Sequence, residues 1–148
     1  MKKYGVWMFV LVLVVFTGIA ARQHLTGREQ VAAGTVQIIA SGQTKTVQLS
    51  ELEYEPVSGV RVNGKGESIP VEGMGVPLKV LLEAEQLADC AGVTVIADDS
   101  YRAELTAEEV AGDGKVFLLL QGDTLRLVVF GDGNSRRSIT NVVQIVVE

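Results

Sequence analysis

Cysteine and histidine are almost absent from the sequence, which has one of each among its 148 residues. The lone Cys90 cannot form an internal disulfide, and it excludes any metal site built from several cysteines. His24 precedes the predicted domain, so a Ser-His-Asp or Cys-His nucleophilic site inside that domain is also excluded. We interpret Cys90 as a small apolar residue near a helix end and His24 as a solvated linker residue.

Positive charge is scarce in the predicted domain. Between Thr35 and Glu148 there are 17 acidic and 9 basic residues, which gives a formal charge of 9 − 17 = −8. This balance argues against nucleic acid or an anionic membrane surface as a partner. Internal repeats, coiled-coil heptads and low-complexity tracts are also lacking. The sequence therefore predicts one domain without repeats.

One long apolar run stands at the N-terminus. Lys2 and Lys3 precede an uncharged stretch at residues 4–21, which Arg22 closes. A run of about 17 to 20 apolar residues can span a bilayer, and the preceding positive charges favour an N-terminus held in the cytoplasm. We predict a membrane anchor or signal peptide at residues 1–22, a linker at 23–34 and a domain at 35–148.

Two interpretations of the apolar run stay open. Residues 17–21, Thr-Gly-Ile-Ala-Ala, resemble the small-residue cleavage site of a secretory signal peptide. The imperfect site and the length of the run favour retention as a single-pass transmembrane helix. Under both interpretations the domain lies on the extracytoplasmic side of the cell membrane. A lipid anchor is not expected, because no cysteine directly follows the run.

The rest of the chain is organised around residues 73–83, Gly-Met-Gly-Val-Pro-Leu-Lys-Val-Leu-Leu-Glu. Gly73 and Gly75 predict a bend, and Pro77 predicts the start of a helix that continues to about Leu87. The other segments mostly predict strands, at residues 35–40, 45–49, 57–62, 68–71, 93–97, 101–105, 116–120, 125–130 and 139–147. Residues 106–109, Thr-Ala-Glu-Glu, match a capping box at the start of another helix. The predicted fold class is α+β, with a mixed, mostly β sheet and short outer helices.

Two motifs follow one another within this domain. The first runs from Gly-Val-Pro-Leu at residues 75–78 to Asp-Asp-Ser-Tyr at 98–101. The second is Leu-Arg-Leu-Val-Val at 125–129, followed by Gly131, Gly133 and Arg-Ser-Ile at 137–139. In this order they resemble the oxidoreductase molybdopterin-binding domain of the sulfite oxidase type. The resemblance implies a mixed α+β fold that, in full-length relatives, holds molybdopterin and binds molybdenum through a cysteine thiolate.

The sequence departs from this family at the cofactor. The family's ligating cysteine precedes the Gly-Val-Pro-Leu motif, but residues 35–74 contain no cysteine, and Cys90 lies after the motif. Thr140 stands where the family usually has a basic residue for the cofactor phosphate, and Phe130 replaces a usual proline. We predict no catalytic residue and no metal ligand. We expect no bound cofactor; molybdopterin is the one that the resemblance implies. The sequence leaves open whether the chain is an enzyme.

Four residues are candidates for binding a cofactor or an anionic ligand. Arg136 and Arg137 lie in a loop rich in glycine, asparagine and serine, where backbone N–H groups and guanidiniums can hold an anion. The resemblance places Tyr101 after a strand end that faces the ligand pocket, and Arg126 alternates with leucines on the penultimate strand. The alternatives are a solvated turn whose arginines pair with surface acids and a half-buried strand tyrosine.

Asp98 and Asp99 form an adjacent pair of carboxylates at a strand end. Such a pair can bind a cation or share a proton. Adjacent acids at a strand end more often accept local backbone hydrogen bonds in a turn. We favour the turn.

The leading functional hypothesis is a membrane-anchored, extracytoplasmic, molybdopterin-binding-like domain that acts as a non-catalytic ligand- or partner-binding module. One alternative is a molybdopterin-dependent oxidoreductase subunit that uses the four candidate residues without a cysteine ligand. The other is an accessory of an envelope electron-transfer complex. The predicted partners are the membrane, through the N-terminal helix, and a membrane or envelope protein.

Overall fold

The computed structural model describes residues 31–148. Half of these residues lie in strands and 13% in helices, so the domain is mostly β. The predicted α+β class is therefore wrong, because the two α-helices, with seven and five residues, are too short to form a layer of their own. The predicted membrane segment at residues 1–22 lies outside the described residues. Within residues 31–148, no helix has the length and apolar character needed to cross a bilayer.

Nine strands and two short helices make up the described domain. The strands are β1 (Thr35–Ala40), β2 (Gln43–Gln48), β3 (Glu55–Val62), β4 (Ser68–Pro77), β5 (Gly92–Ala97), β6 (Arg102–Thr106), β7 (Val116–Gln121), β8 (Thr124–Val129) and β9 (Val142–Val147). The helices are α1 (Leu78–Ala84) and α2 (Ala107–Ala111), and a 3₁₀ turn spans Leu49–Glu51.

Strand β9 joins the two halves of the sheet. It pairs in parallel with β1 and antiparallel with β5, and it meets β8 only where Leu125 pairs with Val142. One half contains β2, β1, β9, β5 and β6, and the other contains β8, β7, β4 and β3. Buried side chains from both halves form one main core, which includes Val36, Leu118 and Ile145.

Side-chain alternation and helix caps account for the main core. Every second residue of β5 is buried, as expected for a strand with one face covered. The predicted capping box at α2 is confirmed: Thr106 Oγ1 accepts a hydrogen bond from the Glu109 N–H, and Glu109 Oε2 accepts one from the Thr106 N–H. Helix α1 adds Leu78 and Leu82 to the core.

The predicted bend at Gly73 and Gly75 is wrong, since both residues lie within strand β4. A Cβ at Gly75 would lie 2.7 Å from Leu119 Cδ2 and 3.0 Å from the Leu118 carbonyl oxygen. Gly75 is therefore required for close packing between strands. Helix α1 starts directly after Pro77, as predicted, but it ends at Ala84 because Gln86 adopts a positive φ of 61°.

The β3–β4 hairpin extends beyond the sheet as a two-stranded arm, residues 55–74. Strand β4 pairs with β7 only from Gly75 to Pro77, so the rest of β4 pairs with β3 alone. The arm packs on the face of β7 and β8 that points away from the main core. There a second buried cluster contains Val57, Phe117, Leu119 and Val128. The ring of Phe130 lies against Gly59, where a Cβ would come within 2.5 Å of Phe130 Cε1.

Candidate functional site

The loop between β8 and β9, residues 131–138, carries two of the candidate arginines, and we call it the arginine loop. Gly131 adopts a φ of 87°, which glycine tolerates without steric cost. Asn134 Oδ1 accepts a hydrogen bond of 3.0 Å from the Arg136 N–H, and the Ser135 carbonyl accepts one of 3.1 Å from the Ser138 N–H. These local bonds hold the loop in a defined conformation.

Arg137 is held by two carboxylates. Its Nε donates to Asp132 Oδ2 at 2.9 Å, its Nη2 pairs with Asp132 Oδ1, and its Nη1 lies 2.7 Å from Glu109 Oε1. Hydrogen bonding to Asp132 raises the pKa of Arg137 despite partial burial, with Glu109 adding to the effect. The guanidinium thus links the arginine loop to α2, and its charge is balanced within the protein.

A groove of about 540 Å³ borders this network. Its charged lining residues are Arg137, Glu104, Glu109 and Glu148. With three carboxylates and one guanidinium, the side chains that line the groove carry a net negative charge. The surroundings of Arg137 therefore do not favour an anionic ligand.

Tyr101 and Arg136 are brought together by the fold. The Tyr101 hydroxyl donates a hydrogen bond of 3.0 Å to the Arg136 backbone carbonyl. Tyr101 is 47% exposed, so this contact lies at the surface and not in the core. The Arg136 side chain is also exposed. This hydrogen bond connects the arginine loop to the residue that follows the β5–β6 turn.

Arg126 lies on the same face of β8 as Val128. Its Nη2 donates a weak hydrogen bond of 3.3 Å to Ser138 Oγ. Its Nε is buried and has no hydrogen-bond partner among the described residues. Burial lowers the pKa of the guanidinium, and repulsion from Arg61 lowers it further. Arg126 is therefore a half-buried cation with an unused donor.

Arg61, which the sequence analysis did not single out, lies on the arm near Arg126. It shares its face of β3 with Val57 and Gly59, the face that packs on β7 and β8. Within residues 31–148 neither Arg61 nor Arg126 forms a salt bridge. Alternation along β3 indicates which residues share a face with Arg61. The return of the arm over β8 is a tertiary feature that the pattern does not reveal.

The two aspartates of the β5–β6 turn have separate surroundings. Asp99 Oδ1 accepts a hydrogen bond of 3.0 Å from the Tyr101 N–H, the local turn contact that the sequence favoured. Asp98 lines a different cavity of about 230 Å³, together with Asp123 and Asn141. Within residues 31–148, no cluster of three or more histidine, cysteine or carboxylate side chains is arranged to hold a metal ion.

Comparison with models of known protein families finds no match to this chain, and comparison with curated proteins finds no significant match. The resemblance to molybdopterin-binding domains therefore rests only on the two motifs at residues 75–101 and 125–139. Among the candidate residues, Arg126 is the one whose buried polar atom lacks a partner among the described residues.

Proposed function

We propose that this chain is an exported, non-catalytic binding module whose ligand carries an anionic group bound by Arg126 and Ser138. The observation that carries the proposal is the buried Arg126 Nε without a partner. An unsatisfied buried donor costs about 1–3 kcal/mol, and more when the group is charged. An anion at this position would accept from Nε and Nη2 together, the paired geometry that guanidinium offers to oxyanions.

The chemistry of these side chains favours binding over catalysis. Arg126 and Arg61 offer only N–H donors, and Ser138 offers a hydroxyl. A guanidinium stays protonated at physiological pH, so it binds and orients an anion but does not exchange protons. The motif resemblance supports a ligand with an anionic group, since molybdopterin carries a phosphate. The chain's departures from the family support a module without metal chemistry.

Titration of the full-length protein with sulfate tests the proposal, with ionic strength held constant by sodium chloride. Calorimetry should show saturable binding that Arg126→Gln weakens by about tenfold or more, since a charged hydrogen bond contributes roughly 1.5–3 kcal/mol. Arg102→Gln is the matched control, because Arg102 is an exposed arginine on strand β6. Lack of saturable binding, or equal losses in the two variants, would overturn the proposal.

Metal and pterin analysis separates this proposal from a molybdopterin-dependent enzyme. The full-length protein would be purified from a host able to make the molybdenum cofactor. We expect a well-folded sample without stoichiometric molybdenum or pterin. Stoichiometric amounts of both would contradict a non-catalytic module and direct attention to an unusual metal site.

Export is supported by the sequence pattern at residues 1–22, where Lys2 and Lys3 precede an uncharged run. Alkaline phosphatase fused after Glu148 tests it, because this enzyme needs the disulfides that form outside the cytoplasm. The fusion should be active, and deletion of residues 1–22 should abolish the activity. An inactive, fully expressed fusion would contradict export.

A further inference from the structure

The arm carries an arginine, Arg61, on the face that packs on β7 and β8. Arg61 follows Gly59 by two residues, and Gly59 lies directly against the ring of Phe130. That ring packs edge-on against Phe117 with centroids 5.7 Å apart, so the arm is seated on β7 and β8 by aromatic packing. Near the tip, a Cβ on Gly64 would lie 3.7 Å from Ser135 Oγ, which places the hairpin beside the arginine loop.

This seating brings two positive charges together. Arg61 shares its face of β3 with Val57 and Gly59, and Arg126 shares its face of β8 with Val128, so the two arginines lie on the facing sides of the arm and the sheet. No carboxylate pairs with either residue within residues 31–148. Arg137 differs, because Asp132 and Glu109 balance its charge. Like charges in a partly buried site oppose the packing that holds the arm down. An anion bound between the two guanidiniums would attract both of them and so replace the repulsion with a net attraction between the arm and the sheet.

We propose that Arg61 completes the site, so that a tetrahedral dianion binds between Arg61 and Arg126 and fastens the arm to the sheet. This inference rests on the proposed function and adds its ligand class and its conformational effect. A double negative charge balances the two guanidiniums. A tetrahedral oxyanion also has enough oxygens to accept from Arg126, Arg61 and the Ser138 hydroxyl in different directions, whereas a planar monoanion serves fewer of these donors.

Two probe anions and three variants of the full-length protein test this inference. Sulfate is a tetrahedral dianion and nitrate is a planar monoanion, and both would be titrated at constant ionic strength. We expect sulfate to bind about tenfold or more tightly than nitrate, and Arg61→Gln to remove most of that preference. Arg61→Lys keeps the charge and should retain part of it. Lys65→Gln removes a charge from the exposed tip of the same hairpin and should change nothing.

Hydrogen exchange of the arm provides the conformational readout. Sulfate should slow amide exchange across residues 55–74 in the wild type and in Lys65→Gln, but not in Arg61→Gln. Circular dichroism would verify that each variant is folded. If the wild type binds no sulfate, the proposed function itself fails. If binding depends on Arg126 but not on Arg61, or if the arm exchanges equally with and without sulfate, only the inference about Arg61 is overturned.

Discussion

Arg126 and Arg137 have the same side chain and opposite surroundings. Arg137 is paired with Asp132 and Glu109, whereas Arg126 donates to the Ser138 hydroxyl and forms no salt bridge within residues 31–148. Two adjacent residues of the arginine loop take part in these different contacts: Arg137 pairs with the carboxylates, and Ser138 accepts a hydrogen bond from Arg126. At the residue scale, the loop therefore combines a structural contact with a candidate binding contact.

Arg137→Gln should destabilise the domain, because it leaves Asp132 and Glu109 partly buried without their cation. Their side chains are only 16% and 30% exposed, so water does not fully replace the guanidinium. We expect the free energy of unfolding to fall by about 1–2 kcal/mol in a denaturant titration. Arg136→Gln, at the exposed neighbouring position, should change it by less than about 0.5 kcal/mol. Equal effects in the two variants would contradict a structural role for Arg137.

The pH dependence of stability should report on Glu109. Its pKa is lowered below the ordinary 4.5, first by the hydrogen bond from the Thr106 backbone and then by Arg137, which together outweigh partial burial. A carboxyl with a lowered folded-state pKa adds stability above its unfolded-state pKa, and this stability is lost as the pH falls through the folded-state pKa. The free energy of unfolding should therefore decline below about pH 4.5, the unfolded-state value.

A pair of variants isolates this contribution. Glu109→Gln should show a smaller loss of stability between pH 5 and pH 3 than the wild type, as measured by denaturant titration. Glu108→Gln, at an exposed position in the same helix, serves as the control. The assignment to Glu109 would be wrong if both variants followed the wild-type profile.

At the element scale, close packing of strands β3 and β4 against their neighbours accounts for the glycines at positions 59 and 75. Both positions admit close packing: Gly59 against the ring of Phe130, and Gly75 against Leu119 and Val57. The pattern Gly73-Met74-Gly75 alone favoured a bend, because glycine marks both turns and close approaches. Only the pairing of β4 with β7 distinguishes the two.

Gly75→Ala should be destabilising, because its Cβ would overlap Leu119 Cδ2 and press on the Leu118 carbonyl oxygen. Overpacking of this kind costs about 1–3 kcal/mol. Gly73→Ala is the matched control in the same strand, since no atom lies within 4 Å of the added Cβ. We expect the Gly73 variant to be neutral or slightly stabilising in a thermal or denaturant measurement. An unchanged stability of Gly75→Ala would contradict close packing between β4 and β7 at this position.

The local elements were largely predictable from the sequence. Each strand of residues 31–148 overlaps a predicted one, and the Thr106 capping box is confirmed. Alternation such as Leu125-Arg126-Leu127 indicates strands directly, because successive side chains point to opposite faces. Tertiary features were not predictable. The return of the arm over β8, and with it the proximity of Arg61 to Arg126, depends on contacts between residues far apart in sequence.

At the scale of the whole molecule, the described domain is a mostly β structure in which β9 joins two groups of strands around the main core. The short helices fill gaps in that core, which is why helix signals in the sequence suggested a more mixed class. The arm and the arginine loop lie outside the main core. Removal of charge there should change binding more than folding, apart from Arg137.

The most direct measurement follows the NMR signal of the Arg126 Nε–Hε group while sulfate is titrated into the full-length protein. The signal is assigned by its loss in the Arg126→Lys variant. We expect a saturable shift of this signal, with the same affinity that calorimetry gives, and little change at the exposed Arg102. An Arg126 signal that stays unchanged while sulfate binds elsewhere, or while no sulfate binds, would contradict the assignment of this domain as an anion-binding module.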